Sequence, residues 1–464
     1  MPNKSYANNL KIDPHFLEKV KSNNIKMFQL WLPDLDGIIR GKIISKDKII
    51  NSLSNGISFS NVLYGWDMHD FVFGDSIFSN WNEGFKDARL KIFLDSFRLS
   101  HIYNNTAIIF SDYINIDDSL LMLSPRNQLI KAVKDAKLLG IIPIGSVEYE
   151  FGIYKKEGSN EISGVQNITN QRSMNFIQNS GYSIIELDKN SKLIDEILLA
   201  LERSKIEIES FHTESGEGAF ECSLKYKDFM SAADDAIHFK HIVKNVCEQN
   251  GLVACFMAKP DYNFPGAGAH IHQSLRDLTG KKNKFFNKND ELNMSEDFKN
   301  YIAGILEHLD KLSILIHPNI NSFKRVQDNS WAPANVTWGI DNRTTAIRVI
   351  NNSHDSTRME FRVPGADHNV YLGFALSLNL GLRGIKDKII LKEKVDGNGY
   401  EYNLANNLPN NFSDAITSLD KSKIGRELFG AEFIDHFVLS RYHELKLFNE
   451  YVTDWEKQRY FKIV

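Results

Sequence analysis

Four short segments of the sequence alternate apolar residues with side chains that can bind a metal ion or a phosphate group. Their polar positions are Glu148 and Glu150, Glu221, His270 with His272 and Ser274, and Glu360 with Arg362. Successive residues of a β-strand point to opposite faces, so each segment presents its polar side chains on one face. One such segment is typical of a solvated strand face, whereas four in one chain predict a shared chemical site.

If these strands share a sheet, their glutamates and the nearby Glu214 lie close together. That many carboxylates cannot all stay ionised without cations. Carboxylate oxygens with one or two imidazoles suit Mg²⁺ or Mn²⁺ better than a metal that prefers thiolates. Arg362, with Arg343 and Arg348 on a neighbouring strand, suggests a clamp for phosphate. Divalent cations and arginines together are the components of phosphoryl transfer, which implies ATP.

The composition limits the class of protein. A chain of 464 residues is too long for one ordinary core, so we expect two or three domains. A formal net charge of −4 without a long basic run gives no reason to expect nucleic acid as a partner. Residues Met1–Leu10 lack the apolar stretch of a secretory signal, and the longest apolar run, Val370–Leu382, is too short to span a bilayer. Three cysteines in apolar surroundings, without a CxxC pair, complete the expectation of a soluble cytoplasmic protein.

The elements that must position the site begin with an N-terminal α+β domain. Residues Ile25–Trp31 and Ile38–Ile44 have the pattern of two strands. Asp36 and Gly37 between them are a hairpin-turn signal, because glycine accepts the positive φ that such turns need. We predict that this domain covers residues 1–120.

A helix start marks the second predicted domain, residues 121–464. Ser124 is a good N-cap, Pro125 suits the first helical position and Gly140 ends the helix. The four polar segments all lie in this domain, and its last part, residues 413–461, is largely helical by pattern. Three turn-rich segments are predicted to be surface or active-site loops: Gly158–Arg172, Thr279–Asp297 and Asp396–Phe412.

Taken in order, the motifs resemble those of the glutamine synthetase family over nearly the whole chain. The matching segments are Asp34–Gly37 through Lys42, Glu148–Glu150, Glu214–Glu221, Met257–Pro260, Gly266–Ser274, Asn321–Arg325, Asn342–Arg348, Glu360–Arg362 and Gly365–Asp367. The resemblance implies an α+β fold. It would consist of an N-terminal β-grasp domain and a C-terminal catalytic domain, in which an antiparallel sheet forms a half-barrel with flanking helices.

The resemblance also implies roles for individual residues. One divalent cation would be bound by Glu150, Glu214 and Glu221, and the other by Glu148, His270 and Glu360. The residues that match ATP-binding positions are Glu209, His272, Ser274, Arg343 and Arg358. The residues that match positions binding glutamate or the transferred phosphoryl group are Gly266, Arg325, Arg348 and Arg362. Of all these, Arg343 and Arg362 are predicted to be catalytic.

A further predicted catalytic residue, Asp67, matches an aspartate that reaches the active site of an adjacent subunit and binds the incoming amine. The resemblance therefore implies a homo-oligomer whose active sites lie between neighbouring subunits. Two stacked rings of six subunits are the expected assembly.

Two positions depart from the ammonia-using members of the family. Those members carry a glutamate just before an Ala-Pro pair, where it closes the site and helps to deprotonate ammonium, whereas here Trp331 precedes Ala332. An asparagine that contacts glutamate is replaced by Pro265. With these changes the chain resembles γ-glutamylpolyamine synthetase and other γ-glutamyl amine ligases more closely. We therefore predict ATP-dependent ligation of the glutamate γ-carboxylate to a polyamine, alkylamine or aromatic amine through γ-glutamyl phosphate, with Trp331 at the substrate.

Three other functions stay open at this point. An ammonia-dependent glutamine synthetase is the first, because Trp331 could pack while another residue serves as the base. An ATP:guanidino phosphotransferase also surrounds ATP with arginines, although the full set of glutamates and histidines argues against it. The third is a catalytically inactive scaffold, which would have no need for all six predicted metal ligands.

Overall fold

The computed structural model of the protein describes residues 13–464 except 75, 77, 157–167, 173–180, 217, 263, 328–329 and 403–404, and it does not describe the side chains of 156 and 168–172. The strands are β1 (Met27–Pro33), β2 (Ile39–Ser45), β3 (Ile57–Ser60), β4 (Asp87–Leu99), β5 (Thr106–Tyr113), β6 (Ile141–Lys156), β7 (Ile168–Arg172), β8 (Ile208–Thr213), β9 (Ala219–Leu224), β10 (Lys227–Asp228), β11 (Leu252–Cys255), β12 (Ala269–Asp277), β13 (Trp338–Ile340), β14 (Ile347–Ile350) and β15 (Arg358–Phe361).

The α-helices are α1 (Pro14–Ser22), α2 (Lys46–Asn55), α3 (Pro125–Leu138), α4 (Ile184–Lys189), α5 (Ser191–Arg203), α6 (Phe229–Gln249), α7 (Glu296–Leu312), α8 (Ser322–Arg325), α9 (Val370–Asp387), α10 (Phe412–Asp420), α11 (Lys423–Phe429), α12 (Ala431–Glu450) and α13 (Asp454–Tyr460). Short 3₁₀ helices cover Asn61–Tyr64, Ser313–Leu315 and Gly399–Glu401. Among the described residues, none of the helices combines the length and the apolar composition needed to cross a bilayer.

The N-terminal strands form a mixed five-stranded sheet in the order β2-β1-β5-β4-β3. β1 and β5 are parallel neighbours, and the other neighbours are antiparallel. The predicted hairpin is present, since Pro33 lies opposite Ile39 and Gly37 has a φ of +79°. This arrangement is the predicted β-grasp sheet.

The larger sheet contains ten of the described strands, and its main path runs β13-β14-β15-β12-β6-β9-β8. All pairs along this path are antiparallel except β13 with β14. One face of the sheet is apolar and fully buried; Tyr149, Phe151, Phe220, Ile271 and Phe361 lie on it. Helices α3 and α6 contact β6, so the apolar residues of the alternating segments form the core and leave the polar ones on the opposite face. The predicted α+β half-barrel with flanking helices is confirmed.

Several local predictions hold because they depend on neighbouring residues. Ser124 Oγ accepts the backbone N–H of Asn127 and caps α3, which begins at Pro125 and ends at Leu138. Residues 412–460 form the four helices α10–α13, as the pattern indicated. All three cysteines are free thiols. Cys222 and Cys247 are buried, and Cys255 is half-buried. The domain boundary near residue 120 stays a prediction.

The predicted loop Gly158–Arg172 is wrong in its last part. Ile168–Arg172 form β7, which pairs antiparallel with β6 at Tyr154 and Lys156. The pairing partner is the preceding strand, β6, but the turn-rich composition of the segment indicated a loop instead. Residues 157–167 of the same prediction lie outside the described residues.

Three neutral imidazoles lie where the smaller sheet contacts α6. The ring of His101 is 5.8 Å from that of His238 and 5.6 Å from that of His241, and Trp31 of β1 contacts both helix residues edge-on. Burial lowers the pKa of His101 and of His241 to about 4 and lowers the pKa of His238 well below its usual value. A nearby positive charge lowers each of these pKa values further: Arg203 acts on His101, Arg98 on His238 and Lys244 on His241.

Acidification is therefore expected to destabilise the contact between the smaller sheet and α6. Each folded pKa lies below the unfolded value of about 6.5, so the stabilisation is complete above that pH and is lost as the pH falls towards about 4. Between about pH 7 and pH 5 the loss is on the order of 1–2 kcal/mol per imidazole. Denaturant unfolding at both pH values checks this. His238→Leu should weaken the pH dependence, whereas the exposed His15→Gln control should keep it; equal slopes in both variants would contradict the assignment.

Candidate active site

Neighbouring strands of the larger sheet bring the predicted polar residues onto one face. Directly opposed residues of an antiparallel pair point to the same side of the sheet. The opposed pairs are Glu148 with His270, Glu150 with Glu221, and His272 with Glu360. The convergence of glutamates predicted from the alternation is therefore present, and it spans strands that are more than 200 residues apart in sequence.

His270 lies at the centre of this face. Its Nδ1 is 3.6 Å from Glu148 Oε2 and 3.4 Å from Glu360 Oε1, and its Nε2 is 3.7 Å from Glu150 Oε1. Both ring nitrogens are buried and have no hydrogen-bond partner among the described residues. Buried imidazole nitrogens and carboxylates that face one another without bonding fit a shared divalent cation, and this donor set suits Mg²⁺ or Mn²⁺.

Two groups of three side chains could each hold a metal ion, because within each group the potential ligand atoms lie within 4.8 Å of one another. The groups are Glu148 with His272 and Glu360, and His212 with Glu214 and Glu221. The sequence prediction missed His212, whose Nε2 is 3.4 Å from Glu214 Oε1 and from Glu221 Oε1. The only signal was its position on β8, two residues before Glu214, and its pairing opposite Glu221 became visible only with the β8–β9 register.

Charge crowding is visible in the acid–base properties of the glutamates. Burial raises the pKa of Glu221, and the carboxylates of Glu148, Glu150 and Glu214 raise it further. Burial also opposes ionisation of Glu148, but the imidazoles of His270 and His272 hold its pKa well below its usual range. These opposite shifts in adjacent carboxylates are what a site built for cations produces when only protein charges are present.

Arginines border the same face around Glu360. Its carboxylate accepts a hydrogen bond from Arg348 Nη1 at 2.9 Å and another from Arg362 Nη1. Although burial opposes ionisation, the charge of Arg362 lowers the pKa of Glu360 to about 2. Arg362 also donates from Nε to the carbonyl of Arg343 at 3.1 Å, so one interaction connects the two predicted phosphate arginines.

A cleft of about 600 Å³ opens over this face. All of the predicted metal ligands line it, and so do Gly266, Arg325, Trp331, Arg343, Arg348, Arg358 and Arg362. Among the described lining residues, the only carboxylates are the five glutamates of the predicted metal set. Trp331 is 64% exposed, with a φ of +62° that is an outlier for so bulky a residue. A large ring held exposed at the cleft wall by a strained backbone is typical of a ligand-contacting position.

Arg325 and Gly266 meet at one end of the cleft. The guanidinium of Arg325 is buried and donates to the carbonyl of Val363 at 2.9 Å. A Cβ at Gly266 would lie 2.7 Å from Arg325 Cγ and 2.8 Å from the carbonyl oxygen of Ala258. Only glycine therefore lets the 266 loop approach this arginine.

A second cavity of about 370 Å³ adjoins the cleft and shares Glu148, His272 and Arg358 with it. Its lining includes Glu209 and Ser274, so four of the five predicted ATP residues surround one space, while Arg343 lies in the cleft instead. The Ser274 hydroxyl donates to Asn283 and to the carbonyl of Thr357. Tyr226, which the sequence prediction missed, lines the same cavity and is 61% exposed.

Asp67 does not line the cleft of its own chain. Its Oδ1 accepts the backbone N–H groups of His69 and Phe71, and its Oδ2 lies 3.0 Å from His443 Nε2. The carboxylate therefore lies outside the cleft lining and is held in one orientation.

Five glutamates and three imidazoles meet beside a row of arginines, and a second cavity opens next to them. Such a face defines an enzyme that handles phosphate groups with the help of divalent cations.

Comparison with known proteins narrows this class. The glutamine synthetase catalytic domain matches residues 122–460. Type-1 glutamine synthetase 2 of Dictyostelium discoideum is 34% identical over 452 residues, covering 97% of this chain and 86% of its own. The glutamate–isopropylamine ligase of a Pseudomonas species is 35% identical over 454 residues, covering 97% of both chains. The glutamine synthetase of Thermotoga maritima is 30% identical over 458 residues, covering 95% of this chain and 97% of its own.

A solved structure of GmaS in complex with ADP superimposes with a TM-score of 0.82, at 24% identity, and covers 96% of this chain and 99% of its own. That likeness bears on the fold alone. The chain belongs to the glutamine synthetase family and is an ATP-dependent ligase, in a family that uses divalent metal ions. The predicted family is confirmed, and its relatives include a glutamate–amine ligase as well as glutamine synthetases.

Proposed function

We propose that this ligase joins the γ-carboxylate of glutamate to an organic amine rather than to ammonia. The observation that carries the proposal is the exposed indole of Trp331 in the cleft wall, at a position where the family resemblance implies a carboxylate in ammonia-using members. Every described carboxylate that lines the cleft belongs to the predicted metal set, so none of the other described carboxylates of the same chain stands there to hold and deprotonate ammonium. The similarity to a glutamate–isopropylamine ligase supports the same assignment.

The proposed reaction has two chemical steps. A carboxylate is a poor electrophile, so the γ-phosphoryl group of ATP is first transferred to a γ-carboxylate oxygen of glutamate, which gives γ-glutamyl phosphate and ADP. The amine nitrogen then attacks the acyl carbon, phosphate leaves, and the nitrogen loses a proton. When bound, the metal ions would supply positive charge to the phosphate oxygens.

The side chains of this chain would bind and orient the reactants. Glu150, Glu214 and Glu221 are proposed for one cation and Glu148, His270 and Glu360 for the other, with His212 and His272 close enough to join these sets. Arg343 and Arg362 would stabilise charge on the transferred phosphoryl group. Arg325 is proposed to bind the backbone carboxylate of glutamate, because its guanidinium stands at the cleft wall beside Gly266. Mg²⁺ and Mn²⁺ both satisfy the donor set.

Nucleotide would occupy the smaller cavity. His272 and Arg358 line both spaces, and Arg358 Nε lies 3.3 Å from His272 Nδ1, so this pair is proposed to sit where the phosphates pass from cavity to cleft. Glu209 lines the same cavity.

Release of phosphate from ATP and glutamate, measured across a panel of amines, tests the proposal. The panel contains ammonia, methylamine, isopropylamine, putrescine and an aniline. An organic amine is expected to give the highest kcat/KM. A rate with ammonia that equals or exceeds every organic amine would identify an ammonia-dependent glutamine synthetase, and no release with any acceptor would identify an inactive scaffold.

We also propose a homo-oligomer, two stacked rings of six subunits, in the cytoplasm. The position of Asp67 supports this assembly, because its carboxylate does not line the cleft of its own chain and would reach the amine from a neighbouring subunit. The purified chain is expected to be a dodecamer by sedimentation, and an Asp67→Asn variant should lower kcat for the amine without changing that mass. Full activity in a monomeric fraction would contradict the assembly.

A further inference from the structure

A third cavity, of about 700 Å³, adjoins the catalytic cleft on its other side, and Cys255 and Pro260 line both spaces. We call it the α6 cavity; it lies between the β1–β2 turn and α6, and its lining includes Lys240, Lys244, Cys255, Pro260, Asn319 and Asp367. None of the residues assigned above to metals, ATP or glutamate lines it. Lys240 and Lys244 are one helical turn apart and therefore project from the same side of α6.

The two lysines face the α6 cavity without an acidic partner. Among the described residues, neither ammonium group has a carboxylate oxygen within 4.0 Å. Lys240 Nζ donates to the carbonyl oxygen of Ala366 at 2.8 Å, and both ammonium groups stand over the ring of Phe256, at 5.3 and 5.8 Å. Removal from water and then the charge of Lys244 lower the pKa of Lys240 to about 7. A bound anion would favour the charged form of Lys240. Lys244 is exposed to solvent, so its ammonium group is free to contact the same anion.

The acidic groups in the lining compensate these charges only in part, because the charge of Asp367 raises the pKa of Lys240 without restoring its usual value. Asp36 is paired with Arg441 at 2.6 Å, and Asp261 acts on Lys259. Asp367 Oδ2 accepts hydrogen bonds from Ser322 at 2.7 Å and from Asn319 at 2.9 Å. His241 is neutral near pH 7, because burial lowers its pKa to about 4. The positive charge left for a ligand is therefore that of Lys244 and the part of the charge of Lys240 that Asp367 does not offset.

Two short chains of hydrogen bonds connect the α6 cavity to the cleft. Lys240 bonds the carbonyl of Ala366, the N–H of Ala366 bonds the carbonyl of Ala267 at 2.9 Å, and the next residue, Gly268, donates its N–H to Glu150 Oε2 at 2.6 Å. On the second route, Asp367 accepts from Ser322, the first residue of α8, and Arg325 is the last residue of that helix. A ligand that moves Lys240 or Asp367 would therefore move groups at the metal face and at the proposed glutamate site.

We propose that the α6 cavity binds a small oxyanion, a carboxylate or a phosphate, through Lys240 and Lys244, and that its occupancy changes the affinity of the cleft for glutamate. The binding part stands on the cavity alone, whereas the coupling part rests on the proposed function. Because coupling between two binding sites is reciprocal, glutamate must change the affinity for the anion by the same factor.

Calorimetric titration of the metal-stripped full-length protein tests binding. Succinate and inorganic phosphate are titrated separately, with the uncharged succinamide as the control ligand. Lys244→Gln is expected to weaken anion binding at least tenfold, because it removes one of the two charges proposed to bind the anion. The fold should not be disturbed, since the Lys244 side chain makes no hydrogen bond among the described residues. Lys137→Gln, an exposed lysine of α3, and Arg343→Gln in the cleft should bind as the wild type does.

The pattern across these variants decides the result. Binding lost in Arg343→Gln and kept in Lys244→Gln would place the anion in the catalytic cleft and overturn the proposal, and so would the absence of binding by both anions. If only succinate binds, the ligand is a dicarboxylate, and if only inorganic phosphate binds, it is a phosphate. Either result supports the site.

Saturating glutamate tests the coupling in the same calorimeter. The dissociation constant for the anion is expected to change at least threefold in the wild type and in Lys137→Gln, but not in Lys244→Gln. An unchanged constant in the wild type would overturn the coupling while the Lys244-dependent binding stood. This readout needs no turnover, so a failure of the proposed ligase reaction would appear separately, in the amine panel.

Discussion

Glu360→Gln is expected to lower kcat at least about 100-fold and to abolish the stabilisation of the protein by divalent metal. The side chain is 1% exposed, and its carboxylate faces His270 at 3.4 Å while it accepts from Arg348 and Arg362. The amide keeps the shape but removes the charge that a cation and two arginines share. Initial rates at saturating ATP and thermal unfolding with and without Mn²⁺ measure the two effects.

Asp341→Asn is the matched control for this variant. Asp341 also pairs with Arg348, at 2.6 Å, but its side chain is 68% exposed and does not line the cleft. An exposed ion pair contributes at most about 1 kcal/mol, so activity and metal-dependent stability should stay close to those of the wild type. If Glu360→Gln retained the Mn²⁺-dependent rise in unfolding temperature, the assignment of Glu360 to a metal site would be wrong.

Trp331→Glu is expected to convert the acceptor preference. In the wild type the indole can cover the carbon part of an amine, at about 0.8 kcal/mol per buried methylene, and its face attracts a cation by roughly 0.5–2 kcal/mol. Together these terms favour an organic amine over ammonia by about one to two orders of magnitude in kcat/KM. A carboxylate at this position can instead hold ammonium and accept its proton. The ratio of kcat/KM for the organic amine to kcat/KM for ammonia should therefore fall at least about tenfold.

Trp331→Phe separates the aromatic contact from the loss of tryptophan itself. Phenylalanine keeps an aromatic face of weaker attraction for cations, so the preference for the organic amine should persist in reduced form. KM for ATP should be unchanged in both variants, because Trp331 does not line the nucleotide cavity. A wild-type preference for ammonia, or an unchanged ratio in Trp331→Glu, would show that this residue does not select the acceptor.

The sequence by itself determined the features that depend on alternation, capping and turn residues within one short segment. Alternation along β6 and β12 places Glu148 with Glu150, and His270 with His272, on one face whatever the strands pair with. The cap and proline that begin α3, and the glycine turn between β1 and β2, need only the conformations of those residues. The order of motifs was specific enough to indicate the family.

Only the tertiary structure decided which of these groups meet. His212 enters the metal face because β8 pairs with the next strand, β9, in a register that sets it opposite Glu221. This register shifts between Ile208 and Ser210, so the alternation along β8 alone does not fix it. Tyr226 escaped prediction because several residues that line the cavity with it lie on distant segments. β7 pairs with the preceding strand, β6, and was missed because the turn-rich composition of its segment indicated a loop. The α6 cavity likewise exists only where a turn of the smaller sheet approaches a helix 200 residues later in the chain. Pairing between distant segments depends on the free energy of the whole fold, so it is absent from the propensities and spacings of any one segment.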